Sequence, residues 1–294
     1  MGKRPFLMAL GVFGAIFLFF VALVFLLPMG GKSGVAFSRK EKVAVLELRG
    51  VIGSSKKVNE DLIAFRDDPS VKAIVLRVDS PGGGVGASQE IYQELKKAAA
   101  VKPLVVSMGS VAASGGYYVA VPGQRIFANP GTITGSIGVL LEFVNLEELF
   151  GKIGFKVQII KSGEHKDMGS PTRTLRPDEK KLLQEFIENV HSQFVRAVAE
   201  NRPLSEEQVR ALADGRIFSG EQALREGLID ELGNLQDAID HAARLAGIVG
   251  KPKLVYPPKE TISWWDFFLG EGQTRLRKIF SEQEVGLNFI WNGF

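Results

Sequence analysis

The sequence contains no cysteine and only three histidines, His165, His191 and His241, in 294 residues. The missing thiols exclude disulfides, thiolate metal sites and a cysteine nucleophile, and they fit either side of a membrane. No group of residues has zinc-like spacing, so neither a metal nor a cofactor is expected. A concentrated basic tract is also missing. The 36 Lys and Arg and 33 Asp and Glu are scattered and leave a net charge of +3, which gives no reason to expect nucleic acid. No internal repeat of roughly 20–50 residues is found.

One long uncharged run is present. Residues 6–27 are rich in Phe, Leu and Val and follow Lys3 and Arg4. That length crosses a bilayer core of about 30 Å. It exceeds the roughly 7–15 apolar residues of a cleaved leader, and it ends in Pro28-Met29-Gly30-Gly31, so a retained anchor is expected. Charge does not orient it. Lys3 and Arg4 stand against Lys32, Arg39, Lys40 and Lys42, with Glu41 as an offset.

Beyond a polar linker the chain alternates. Strands are expected at 43–48, 71–78, 104–107, 125–128, 137–140 and 156–161, with helices at 57–65, 87–100, 114–121 and 146–152. Strand–helix alternation argues for an α/β fold with largely parallel pairing. The chain then turns helical: Pro177-Asp178-Glu179 opens a long helix to about residue 201, and Ser205 caps the next. Helices at 220–226 and 235–246 and a last strand at 253–256 complete the body.

Three stretches carry chemistry. Ala112-Ala113-Ser114-Gly115-Gly116-Tyr117-Tyr118 sets a serine where a helix begins, among residues small enough for a substrate backbone to approach. A serine needs a base to become a nucleophile. Lys166, in Lys161-Ser162-Gly163-Glu164-His165-Lys166-Asp167-Met168-Gly169-Ser170-Pro171, is the candidate. A lysine acts as a base only when neutral, so its ordinary value of about 10.4 must fall toward neutrality, as desolvation can achieve. Asp79-Ser80-Pro81-Gly82-Gly83-Gly84 follows an apolar strand, and such a turn exposes N–H groups suited to an oxyanion hole. Each stretch also has a plain structural reading. Ser114 could be a helix cap, the glycines an ordinary turn, Lys166 a solvated charge and Ser136 a turn residue. His165 could compete as the base, although nothing marks an acid to orient it, and Asp79 most simply closes its turn.

Taken in order, DSPGG, AASGGYY, TGSIGV and SGEHKDMGSP resemble the bacterial signal peptide peptidase A family of membrane-bound Ser/Lys proteases, over roughly residues 43–257. The resemblance implies a Clp protease/crotonase-like spiral fold with a helical C-terminal part, preceded by one transmembrane helix. It implies Ser114 as nucleophile and Lys166 as general base. Gly82 or Gly83, together with Gly115, would supply the oxyanion N–H groups, and Ser136 would fix the lysine amine. The expected organisation is a short tail at 1–5, an anchor at 6–28, a linker at 29–42, a peptidase domain at 43–257 and an aromatic tail at 258–294.

The chain is about half the length of family members with two tandem copies of the domain. The resemblance therefore implies a homo-oligomeric ring, up to an octamer, with Ser and Lys from adjacent protomers. It also implies a cytoplasmic N-terminus in the inner membrane, an extracytoplasmic catalytic domain and signal peptides as substrates. Rival readings are a related protease cutting one membrane-protein partner, a crotonase-type acyl-CoA enzyme and an inactive membrane scaffold. The tail, with Ser263-Trp264-Trp265-Asp266-Phe267-Phe268-Leu269, suits a membrane interface, a neighbouring subunit or an active site entered as a pseudo-substrate.

Overall fold

The computed structural model describes residues 41–258 and 288–290. The anchor expected at 6–28, nearly all of the linker and the 263–269 aromatic cluster lie outside the described residues. Among the described residues no helix is long and apolar enough to cross a membrane.

The first half alternates: β1 (Lys42–Arg49), α1 (Lys56–Asp67), β2 (Val71–Ser80), β3 (Gly82–Gly84), α2 (Val85–Ala99), β4 (Leu104–Ala113), α3 (Gly115–Ala120), β5 (Arg125–Ala128) and β6 (Ile133–Gly135). The second half is mainly helical: α4 (Glu147–Lys152), α5 (Pro177–Asn201), α6 (Glu206–Leu212), β7 (Ile217–Phe218), α7 (Gly220–Arg225), β8 (Glu231–Leu232), α8 (Leu235–Leu245), β9 (Lys253–Val255) and β10 (Asn288–Ile290).

Continuous apolar runs such as Val43-Ala44-Val45-Leu46 demand a sheet covered on both faces. Ala44, Leu46 and Leu48 point into the larger core with Leu62, Ile91, Leu95 and Phe194. Val43 and Val45 point the other way, onto Ala238, Ile239 and Ala242 of α8. The sheet runs β7-β6-β4-β2-β1-β9, with β5 also beside β4 and β8 beside β5. Every pair in it is parallel except β6 with β7.

β4 pairs through Val105–Ser107 with β5 and through Val111–Ala113 with β6. One long strand thus feeds two partners on the same edge, and the sheet coils. Between these partners the β2–β4 register slips, from Val78↔Met108 to Ser80↔Ala112. The Asp79 carboxylate closes the slip by accepting the Ser110 and Val111 N–H groups at 3.0 and 3.1 Å. A Cβ on Gly109 would stand 2.7 Å from that carboxyl carbon, so only glycine fits there.

Three sequence expectations are corrected. The strand predicted at 104–107 continues to Ala113, because the bulge lets it resume pairing. The strand predicted at 137–140 lies earlier, at β6. The strand predicted at 156–161 is not formed, because no strand among the described residues pairs with it. Val157, Ile159 and Ile160 are left exposed, as are Val144, Leu149 and Phe155 before them.

Candidate active site

Parallel strands release their C-terminal ends on one edge, and three such ends meet around Ser114. β4 delivers Ser114 directly, and its N–H donates to the Gly135 carbonyl at the end of β6 at 2.8 Å. The residue after Gly135 is Ser136. Ser114 has φ 53° and Ser136 φ 50°, the two positive-φ non-glycine residues among those described. Such backbone costs on the order of 1–3 kcal/mol and survives only where its surroundings enforce it. Both serines are buried, Ser114 at 1% exposure, and both line one cavity of about 480 Å³. Gly138, Leu140, Ile187, His191 and Ile290 also line it.

The third end is β2, continuing into the glycine strand β3. Ile52 braces β3 on one side: its N–H donates to the Gly82 carbonyl at 2.8 Å, and its carbonyl accepts from the Gly84 N–H at 2.9 Å. A Cβ on Gly83 would stand 2.4 Å from the Ile52 oxygen, which explains a glycine there. Gly82 has φ +104°, and its N–H donates to Ser80 Oγ at 3.1 Å. A Cβ on Gly82 would meet the Gly115 nitrogen at 2.7 Å, so the glycine turn presses on the first residue of α3. The glycine turn at Gly82 and the Ser114-Gly115 start of α3 therefore lie against each other.

The free side of β3 carries β10. Asn288, Phe289 and Ile290 pair antiparallel with Gly84, Gly83 and Gly82. The Phe289 carbonyl oxygen is wedged between the glycines: it lies 2.0 Å from a Cβ built on Gly82 and 3.1 Å from one built on Gly115. The Phe289 ring is wholly buried, 5.3 Å from the Tyr118 ring and 4.8 Å from the Phe194 ring. Burial raises the Tyr118 hydroxyl to about 12, so the ring stays neutral.

A single chain does not bring Lys166 to Ser114. Lys166 lies exposed in the 161–176 loop and is not among the residues lining the Ser114 cavity. The loop itself is held firmly. Arg173 donates to both oxygens of Glu179 at 2.6 and 2.8 Å and to both of Asp167 at 2.9 Å. Lys161 adds a bond to Asp167 at 2.6 Å. Hydrogen bonds from Arg173 hold the Glu179 carboxyl at about 2, and those from Arg173 and Lys161 hold Asp167 well below the usual range. The clamp grips the residue next to Lys166 and ties it to the start of α5.

His165 is exposed, 3.4 Å from Arg176 Nη2, and lies outside the Ser114 cavity. Sequence reasoning passed over His191. It lies in α5, lines the cavity with Ser114, and its buried Nε2 has no hydrogen-bond partner among the described residues. Its signal, a lone histidine on a charged helix, was indistinguishable from a surface residue. Among the described residues no group of acids and histidines could hold a metal ion.

The coiled parallel sheet, with a strained residue at a helix start facing a glycine strand, defines a Clp protease-like domain, and residues 41–133 match the Clp protease family model. Residues 96–249 match the model of peptidase family S49. The chain belongs to that family, the signal peptide peptidase A family. It is 45% identical to "Putative protease slr0021" of Synechocystis, over 72% of this chain and 76% of that one. It is 37% identical to "Putative signal peptide peptidase SppA" of Enterococcus faecium, over 68% and 62%. With "Serine protease SPPA, chloroplastic" of Arabidopsis thaliana it shares 36% identity over 66% of this chain and 29% of that one.

Proposed function

We propose that this S49 peptidase is a membrane-anchored serine endopeptidase that cuts signal peptides and other short or unfolded apolar segments. Ser114 attacks the scissile carbonyl, and Lys166 of an adjacent protomer takes its proton. The oxyanion is held by the Gly115 N–H and by that of Gly83, which pairs with Phe289, since the Gly82 N–H already donates to Ser80. Ser136 steadies the incoming amine. An acyl-enzyme forms on Ser114 and water releases it.

The observation that carries this reading is a buried, positive-φ serine at the mouth of a groove that already pairs an extended segment to β3. Strand pairing reads backbone rather than side chains, which suits a broad peptide substrate class. A ring is supported by the exposed apolar arm around Val144, Phe155 and Ile160, since soluble monomers rarely leave such a patch uncovered. The anchor at 6–28 rests on the length and lack of charge of residues 6–27, and the family resemblance supports a catalytic domain outside the inner membrane.

His191 supports a second reading, a Ser114/His191 pair within one chain, because it lines the same cavity and its Nε2 has no partner among the described residues. Hydrolysis of an unfolded polypeptide by Ser114→Ala, Lys166→Ala and His191→Ala separates the two. Ser114→Ala and Lys166→Ala are expected to be inactive, and His191→Ala to retain activity. Loss in His191→Ala with retention in Lys166→Ala favours the second reading. Full activity of Ser114→Ala removes both.

A further inference from the structure

We infer that Glu188 of one subunit receives the Lys166 side chain of the next, and that its carboxylate sets the pH at which that lysine becomes a base. The inference rests on the serine peptidase reading above and names the residue that governs its pH range.

Gln184, Ile187, Glu188 and His191 line the Ser114 cavity and follow one another at three- and four-residue steps, so one stripe of α5 forms its wall. The charges around the cavity are unevenly matched. Asp214, in the turn before β7, is gripped by Arg216 at 2.8 and 2.9 Å, and these hydrogen bonds hold its carboxyl at about 2. Glu188 takes the neutral Gln184 amide at 3.3 Å, and no cation among the described residues pairs with it. No lysine or arginine among the described residues lines the cavity. His191 is its remaining titratable side chain, and Ser114, Ser136 and Ile290 add no charge.

Lys166 has the converse character. It is exposed, and no acid among the described residues pairs with it, although acids flank it in sequence. Asp167 is taken by Arg173 and Lys161, and Glu164 lies 3.7 Å from Arg176 Nη2. Among the lysines and arginines of the 161–176 loop, Lys166 alone lacks such a partner within the described residues. A cavity wall with one unmatched carboxylate thus complements a loop with one unmatched ammonium. A lysine that reaches Ser136 from a neighbouring subunit enters beside Glu188.

The consequence is chemical. A carboxylate within about 4–6 Å of an ammonium favours the charged form, and only the neutral amine can take the Ser114 proton. Glu188 therefore holds the assembled site at rest, and turnover rises with pH as Lys166 releases its proton. Glu188 is solvent-exposed in one chain, so its field is weak there and strengthens once the neighbouring loop covers it.

The test is kcat/KM against pH for one unfolded polypeptide, measured on the assembled enzyme in detergent. Wild type is compared with Glu188→Gln, with Gln184→Glu and with Glu185→Gln, which removes a carboxylate of α5 that does not line the cavity. The midpoint of the rise is expected to fall by about 1 unit in Glu188→Gln, so that turnover well below the midpoint increases about tenfold. Gln184→Glu, which adds a carboxylate to the same stripe, is expected to raise the midpoint, and Glu185→Gln to leave it in place. Added salt is expected to shrink both shifts. Repeating the comparison in a His191→Ala background removes the imidazole as a source of the shift. Should Glu188→Gln fail to assemble, the midpoint of Gln184→Glu decides. Midpoints that stay at the wild-type value in both stripe variants, or that move as far in Glu185→Gln, overturn this inference alone, provided that Lys166→Ala is inactive. A Lys166→Ala enzyme that still turns over the polypeptide overturns the assignment of the base with it.

Discussion

Gly82→Ala places a methyl group where the account puts the substrate carbonyl. The backbone there has φ +104°, which an L side chain adopts only at a cost on the order of 1–3 kcal/mol. The new carbon would stand 2.7 Å from the Gly115 nitrogen and 2.0 Å from the bound Phe289 oxygen. The bound strand can withdraw, but Gly115 cannot, because Gly116 beside it is held close to the Ser80 carbonyl; a Cβ there would meet that oxygen at 2.6 Å. The melting temperature should fall by a few degrees, since about 1 kcal/mol moves it roughly 2–4 °C at this size. Activity should fall much further, about 10²–10³-fold, the size of effect seen when an oxyanion donor is lost, because the methyl displaces the substrate carbonyl from the Gly83 and Gly115 N–H groups. Gly86→Ala is the control: a Cβ there meets nothing within 4 Å, and alanine in a helix gains about 0.5–1 kcal/mol over glycine. Peptide hydrolysis and thermal unfolding of the two purified variants form the assay. If folded Gly82→Ala turns over peptide as fast as Gly86→Ala, the glycine cradle is not where the carbonyl sits.

Arg173→Ala should loosen the 161–176 loop, read as faster amide exchange at 163–169, and should lower turnover while leaving the sheet intact. The same clamp gives a pH dependence. Asp167 and Glu179 are held below their ordinary values, Glu179 at about 2, so their stabilisation is complete above about pH 4–5 and is lost as the pH falls toward 2. Loop exchange measured at pH 5 and pH 3 should therefore differ in the wild type and much less in Arg173→Ala. Tyr117→Phe removes the buried hydroxyl that donates to the Leu228 carbonyl at 2.8 Å, and should cost about 1–3 kcal/mol in denaturant unfolding without altering the site.

Much of this was legible in residue order. Val71–Val78 reads as a buried strand because both faces are apolar, and Ser205 announces its helix through the cap it makes with the Gln208 N–H at 3.2 Å. The place of Ser114 between a strand and a helix was legible, because small residues flank it where an apolar run gives way to glycines. The length of β4 was hidden, because Gly109 and Ser110 look like a strand end until Asp79 is seen holding the bulge. The 156–161 strand was misread because side-chain alternation signals a strand without saying which neighbour pairs it. The placement of Phe289 was not encoded locally at all; three residues of a distant tail gain meaning only against a glycine strand more than 200 positions earlier. His191 was missed for the same reason, since its significance lies in the cavity rather than in its helix.

The most direct measurement of a site shared between subunits is complementation. Ser114→Ala and Lys166→Ala chains, each expected to be inactive alone, are unfolded together, reassembled and assayed on an unfolded polypeptide. The account predicts that activity returns in the mixture, because some boundaries then join an intact serine to an intact lysine. A mixture that assembles fully and stays inactive contradicts it.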